Sequence, residues 1–202
     1  MEERKTIYLC LAHMSETGEE QKYVKEAFDT NWVVPLGPNV NGFEDDLKAF
    51  VSKNSDGSEL SREVVALSAG TAAVHLGLLA SGVGPGDEVC VQSFTFCASS
   101  HPITYLGATP VFIDSEPDSW NMDPELLEKA IIDRKEKTGK YPKAIVPVAL
   151  YGMPYDCDKI MAISEKYGIP VVEDAAEGCG SRWKGQVLGT FGKFGVLSFN
   201  GN

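Results

Sequence analysis

From Glu63 onward the chain alternates short apolar runs with helical stretches, and this alternation constrains its fold more than any other feature. Residues 64–67, 88–92, 109–114, 144–150 and 169–173 read as strands by their apolar content and length. Residues 71–81, 98–106, 124–137 and 156–167 read as the helices between and after them. Asp123 and Pro124 open the third of these as N-cap and first helical residue, and Gly168 closes the fourth. Such units build a mainly parallel sheet covered by helices, and ligands of such sheets bind at the carboxyl ends of the strands. The chain before Glu63 is different. It is polar and helical over 19–29, where Tyr23, Ala27 and Phe28 recur at helical spacing. It breaks at the Pro- and Gly-containing stretch 31–38, is helical again over 42–53, and reads as a solvated loop over 54–63. Two parts are therefore expected, an N-terminal helical segment (1–62) and an α/β unit (63–202).

Composition removes several function classes. Lys and Arg total 18 against 29 Asp and Glu, a net charge of −11, which argues against nucleic acid and against an anionic membrane surface. No apolar run approaches the roughly 20 residues of a spanning helix. The apolar stretch at 7–12 is too short for a secretory signal. Five cysteines without a Cys-x-x-Cys pair argue against a disulfide framework and a zinc site, so a reducing cytoplasm is the expected location.

The loops that follow strands hold the chemistry. Ser68-Ala69-Gly70-Thr71-Ala72 opens a helix with small residues, so its free N–H groups and the Thr71 hydroxyl suit a phosphate; a plain helix cap is the alternative. Phe94 and Phe96 in Ser93-Phe94-Thr95-Phe96 either stack on a flat ring or pack in the core. Asp174 ends an apolar strand, where a carboxylate needs a cationic partner such as a protonated pyridine nitrogen. Ala176 beside it is small enough to lie flat on a ring. An N-cap or metal-ligand role for Asp174 stays open, although no histidine lies near it in sequence. The Gly-containing segments 82–86, 178–183 and 189–194 lack phosphate-binding spacing and read as turns. His75, among Ala, Val and Leu, reads as a core residue, His101 as a cap, and His13 as a residue within reach of a substrate. No Ser/His/Asp or Cys/His spacing argues for a nucleophile.

Taken together the motifs resemble the DegT/DnrJ/EryC1/StrS sugar aminotransferases, pyridoxal 5'-phosphate enzymes of aspartate-aminotransferase fold type I. The resemblance spans essentially the whole chain. It rests on Leu36-Gly37-Pro38, Ala69-Gly70-Thr71-Ala72-Ala73-Val74-His75-Leu76 and Gly82-Val83-Gly84-Pro85-Gly86-Asp87-Glu88-Val89. It continues through Ser93-Phe94-Thr95-Phe96, Leu106-Gly107-Ala108-Thr109-Pro110-Val111-Phe112, Leu150-Tyr151-Gly152, Glu173-Asp174-Ala175-Ala176 and Ser198-Phe199-Asn200-Gly201-Asn202. It implies an α/β fold, the three-layer α/β/α large domain of that fold type. It implies that Gly70, Thr71 and Ala72 form the phosphate loop and that Ser198 adds a phosphate contact. Phe96 then stacks on the cofactor ring, Ala176 lies against it, and Asp174 keeps the pyridine nitrogen protonated. Asn31 and Trp32 fall in the segment that lines the substrate entrance. Two departures stand out: Ala69 replaces the usual Ser before the Gly, and Glu177 replaces a usual Gln or His beside the cofactor's phenolic oxygen. A Glu there is similar to the branch that aminates UDP-4-keto-6-deoxy-N-acetylhexosamines.

The resemblance also places the Schiff-base lysine directly after Asn202, outside this sequence, and gives that role to neither Lys184 nor Lys193. The chain as given is then expected to be inactive alone. The resemblance further implies glutamate as amino donor, a nucleotide-sugar acceptor, a homodimer and no metal. The alternatives are a sugar 3-aminotransferase or dehydratase, a non-catalytic pyridoxal-phosphate-binding regulator, and an α/β interaction domain without a ligand.

Overall fold

In the computed structural model, residues 15–200 are described, so His13 lies outside the described residues. Helix α1 (Glu19–Asp29) and helix α2 (Pro38–Val51) come first. The second begins earlier than the expected residue 42. Pro38 opens the helix instead of breaking it, because a first-turn residue needs no N–H donor and its φ is already helical.

Helix α3 (Gly70–Ala80), strand β1 (Glu88–Gln92), helix α4 (His101–Tyr105) and strand β2 (Thr109–Ile113) follow. Helix α5 (Pro124–Thr138), strand β3 (Ala144–Val146), helix α6 (Cys157–Tyr167) and strand β4 (Val172–Asp174) complete the alternation. A small hairpin of β5 (Arg182–Trp183) and β6 (Gln186–Val187) precedes the last strand, β7 (Phe194–Val196). Strands β2, β1 and β3 form one parallel sheet in that order, and β4 pairs in parallel with β7. Two parallel bridges, Ile145–Val171 and Val148–Asp174, join them into one surface with the order β2-β1-β3-β4-β7.

Side chains alternate across this surface. Val89 and Val91 of β1, Ala144 and Val146 of β3 and Val172 of β4 pack with Val74 and Leu78 of α3 and Ile103 of α4. Cys90, Ile145 and Val171 pack with Leu127 and Ile131 of α5 and Ile160 and Ile163 of α6. Two apolar cores on opposite faces make three layers. Gly77 lets α3 lie close to the sheet, since a Cβ there would sit 3.0 Å from Val172 Cγ1.

The expected cap of α5 is present. One Asp123 carboxylate oxygen accepts from Glu125 N at 2.7 Å and Leu126 N at 3.2 Å. Asp123→Ala is expected to lower stability by about 0.5–2 kcal/mol in a urea titration; an unchanged midpoint would show that the cap contributes nothing.

Several expectations fail, each for a physical reason. Residues 64–67 form no ladder: Val65 is 71% exposed, and the segment lines a groove of about 1090 Å³ that separates it from β7. The strand expected at 144–150 stops at Val146: Pro147 has no N–H and Val148 N turns to the Gln92 side chain, so only the single Val148–Asp174 bridge continues beyond it. A tight turn at Leu150–Gly152 follows. The helix expected at 98–106 divides into a single turn, Cys97–Ser99, and α4. His75 is only half-buried and meets Tyr105 edge-on, and His101 makes no side-chain cap. The β5–β6 hairpin was not expected. Its loop is Lys184-Gly185, with φ of 48° and 93°, the two left-handed residues of a tight hairpin turn.

Candidate active site

The carboxyl ends of β1, β3 and β4 meet around Asp174. This residue ends β4 and is 4% exposed. Its Oδ2 accepts from the Ser99 hydroxyl at 2.6 Å, and its Oδ1 accepts from Ala176 N at 3.2 Å. Ser99 in turn shares a 2.8 Å hydrogen bond with the Thr95 hydroxyl. Burial pushes the Asp174 carboxyl above its ordinary range and the Glu177 charge adds to this, while the Ser99 and Ala176 bonds pull the other way. No cation among the described residues forms an ion pair with Asp174.

Phe96 heads the turn that carries Ser99, with Ser99 N bonded to its carbonyl at 3.1 Å. Its ring is 70% exposed, and Phe94 is exposed as well, so the core reading of these two rings does not hold. Across the sheet end, Gly70 opens α3 beside Ser198. A Cβ on Gly70 would lie 3.3 Å from Ser198 Cβ and 3.4 Å from its Oγ. No side chain caps α3, which leaves its first N–H groups without a side-chain acceptor. Gly70, Thr71 and Ser198 line the large groove together, whereas Ala72, partly buried in the same turn, does not.

Glu177 is exposed, and its Oε2 accepts from Tyr151 N at 2.5 Å. Tyr151 has a φ of 51°, so Glu177 holds a strained turn at Leu150–Gly152. Asn31 and Trp32 follow α1, with backbone N–H bonds back to the carbonyls of Phe28 and Ala27. The Trp32 ring packs on Gly37, where a Cβ would come within 2.8 Å of Cε3. No described contact brings Asn31 or Trp32 to Asp174, Gly70 or Ser198. Lys184 and Lys193 are exposed, and Lys184 pairs with Asp158. Burial pushes the Cys90 thiol up to about 12, so it stays an inert core group.

Sequence reasoning missed the supports of this site. Gln92 is fully buried; its Nε2 donates to Phe94 O at 2.9 Å and its Oε1 accepts from Met122 N at 2.8 Å. Its amide also reaches Asn121 Oδ1 at 3.3 Å. Asn121 accepts from Leu150 N at 3.0 Å and donates to Met153 O at 2.9 Å. This amide pair ties together the loops after β1, β2 and β3. Ser99, Gln92 and Asn121 carry no local signal, since their meaning lies in partners distant in sequence.

A profile of the DegT/DnrJ/EryC1/StrS aminotransferase family matches residues 14–202. The chain belongs to this family. EpsN of Bacillus subtilis (strain 168), which bears the name of a pyridoxal phosphate-dependent aminotransferase, is 50% identical over 198 residues. That match covers 98% of this chain and 48% of EpsN. A GDP-perosamine synthase of Caulobacter vibrioides is 40% identical over 185 residues, covering 92% of this chain and 46% of the synthase. A solved structure named for the Streptococcus pneumoniae sugar aminotransferase Spr1654, in its PMP form, superposes with a TM-score of 0.81 at 31% identity. It covers 97% of this chain and 48% of that one. The fold is thus that of the fold type I pyridoxal-phosphate aminotransferases of the DegT/DnrJ/EryC1/StrS family. The chain spans about half the length of the curated relatives it matches.

The residues of this family member fit pyridoxal phosphate at two points. Asp174 is a buried carboxylate with neutral partners only, which a pyridinium N–H would complete. The close approach of Gly70 to Ser198 at an uncapped helix start leaves free N–H and hydroxyl donors for a phosphate.

Proposed function

We propose that this chain carries the cofactor-binding part of an aminotransferase that aminates the keto carbon of a nucleotide sugar, UDP-4-keto-6-deoxy-N-acetylhexosamine, with glutamate as donor. The observation that carries the reading is the buried, cation-free carboxylate of Asp174 at the end of β4. Bound pyridoxal phosphate supplies an electron sink for a carbon that loses its proton. Asp174 holds a proton on the pyridine nitrogen, and the Ser99 hydroxyl orients Asp174 for this. The exposed Phe96 would stack on the cofactor ring, and the small Ala176 would leave room for it. Gly70, Thr71 and Ser198 grip the phosphate through N–H and hydroxyl donors, with Ala72 in the same turn. Glu177 gives one oxygen to Tyr151 N, and its other oxygen is left to set the charge around the phenolic oxygen.

In this reading residues 63–202 form the cofactor-binding part, and residues 1–62, with Asn31 and Trp32, line the substrate entrance. The exposed Phe28, Val33 and Leu36 support pairing with a second copy as a homodimer, and the five cysteines without a Cys-x-x-Cys pair support a reducing cytoplasm as its location. The test has two stages. Phosphorus NMR of pyridoxal phosphate titrated with the chain is expected to show saturable binding, and its absence would sink the reading. In the whole protein, glutamate is expected to convert the bound cofactor, and mass spectrometry to find an aminated UDP-sugar. Amination of a GDP-linked keto sugar alone would move the substrate to the other nucleotide.

A further inference from the structure

A second cavity, of about 410 Å³, lies at the loops that follow β1 and β2. Its walls are Phe94, Asp114, Ser115, Glu116, Pro117 and Trp120. The Phe94 and Trp120 rings meet at 6.0 Å between centroids with 65° between planes, forming an aromatic corner. Both face solvent, at 46% and 61% exposure.

The indole is held there against its backbone preference. Trp120 has a φ of 63°, a left-handed conformation that bulky side chains avoid. Glu116 enforces it. The Glu116 carboxylate accepts from Asp118 N at 2.6 Å and Ser119 N at 2.7 Å, and the Glu116 carbonyl accepts from Trp120 N at 3.2 Å. On the other side, Asn121 is fully buried and anchored to Gln92, Leu150 and Met153. A strained, solvent-facing indole braced from both sides does nothing for the core. Strain held in place by its surroundings in this way clusters at ligand-binding sites.

The lining selects the ligand. A cavity of this size is in the range of small-molecule sites, and its aromatic corner suits one flat ring, stacked on one wall and edge-on to the other. The carboxylates of Asp114 and Glu116 repel phosphate; Glu116 is taken up by Asp118 N and Ser119, and Asp114, with one oxygen on Ser115 N at 2.8 Å, has the other for a ligand N–H. Phe94 is two residues from Phe96, the residue that the reading above assigns to the cofactor ring. The geometry points to the Phe94–Trp120 corner as the subsite for the N–H-bearing heteroaromatic base of the substrate, with the diphosphate directed away from it. This rests on the nucleotide-sugar reading above.

The test measures binding of UDP, GDP and ribose 5-phosphate to the chain by tryptophan fluorescence and calorimetry. A nucleotide is expected to quench tryptophan fluorescence in the parent and not in Trp120→Phe, which keeps Trp32 and Trp183, while ribose 5-phosphate quenches neither. Trp120→Gly is expected to weaken that nucleotide by about tenfold, the usual loss when a stacking aromatic is removed. Trp120→Phe is expected to keep most of the affinity. Trp120→Gly is also expected to melt no lower than the parent, because Gly takes a φ of 63° without strain. That separates lost binding from lost fold. Unchanged nucleotide affinity in Trp120→Gly would overturn the subsite and leave the nucleotide-sugar reading intact. Unchanged affinity with a dimer turned monomer would show that a second copy covers the corner. Pyridoxal phosphate binding without any nucleotide binding would overturn both the subsite and the substrate.

Discussion

Asp174→Asn is expected to weaken pyridoxal phosphate binding by about 10²–10⁴-fold, the equivalent of the roughly 3–5 kcal/mol lost when one partner of a buried ion pair is removed. The same substitution is expected to leave the cofactor-free chain at least as stable as before at neutral pH. The two effects have opposite signs for one reason. In the free chain the carboxylate is buried with the Ser99 hydroxyl and the Ala176 N–H as its hydrogen-bond partners among the described residues, and burial raises its pKa above the ordinary 3.8. The native state therefore holds the Asp174 proton more tightly than the unfolded state does. Its contribution to stability is greatest below the unfolded value and is lost as pH rises through the raised native value. At neutral pH the buried charge is a cost, and the Asn oxygen keeps the Ser99 bond without it. With a pyridinium present, the charge becomes the main attraction. Cofactor titrations and thermal melts of both forms, at acidic and neutral pH, check this. Equal cofactor affinity in the two forms would remove Asp174 from the site.

Much of this fold is readable from local sequence. The α5 and α6 starts follow from Asp123 and Asp156, whose side chains accept from backbone N–H groups in the first turn. The end of α6 follows from Gly168 at a φ of 65°. Strand β1 follows from its apolar run. What local sequence could not show is pairing. Residues 64–67 have strand composition but pair with no strand among the described residues, Ala66 N donating instead to the Glu44 carboxylate at 2.7 Å, and β7 is only three residues beside Gly-rich turns. The same division holds at the site. Small residues and a strand-end acid marked Gly70 and Asp174, and the fold brings Gly70 against Ser198 although they lie far apart in sequence. Ser99, Gln92 and Asn121 are ordinary polar residues until their partners are known. Glu177 shows the reverse: its position suggested a role beside the cofactor, and the structure adds that it braces the Tyr151 turn.

Glu173→Ala is expected to unfold the chain or to remove most of its stability in a urea titration. Glu173 points to the opposite face of β4 from Asp174 and is fully buried. Its Oε1 accepts from Gly189 N at 2.7 Å, and its Oε2 from Phe191 N at 3.0 Å and Gly192 N at 3.5 Å. Burial raises its pKa, and these three N–H groups oppose the rise. The turn they form is packed backbone on backbone. A Cβ on Gly192 would lie 2.7 Å from Val171 O, and one on Gly195 only 1.9 Å from Gly189 O. Removing the carboxylate orphans converging buried donors at about 1–3 kcal/mol each, against a total stability of roughly 5–15 kcal/mol. Glu173→Gln keeps one acceptor but turns an amide N–H₂ toward the same donors, so an intermediate loss is expected. The milder variant also exposes the link to function. Glu173 pairs with Gly195 and Asp174 with Val196, and Ser198 follows two residues later against Gly70. A loosened turn shifts Ser198 before the sheet melts, so Glu173→Gln is expected to bind phosphate-bearing ligands more weakly while still folded. If Glu173→Ala melts like the parent, the carboxylate does not hold this turn, and the register of Ser198 has another cause.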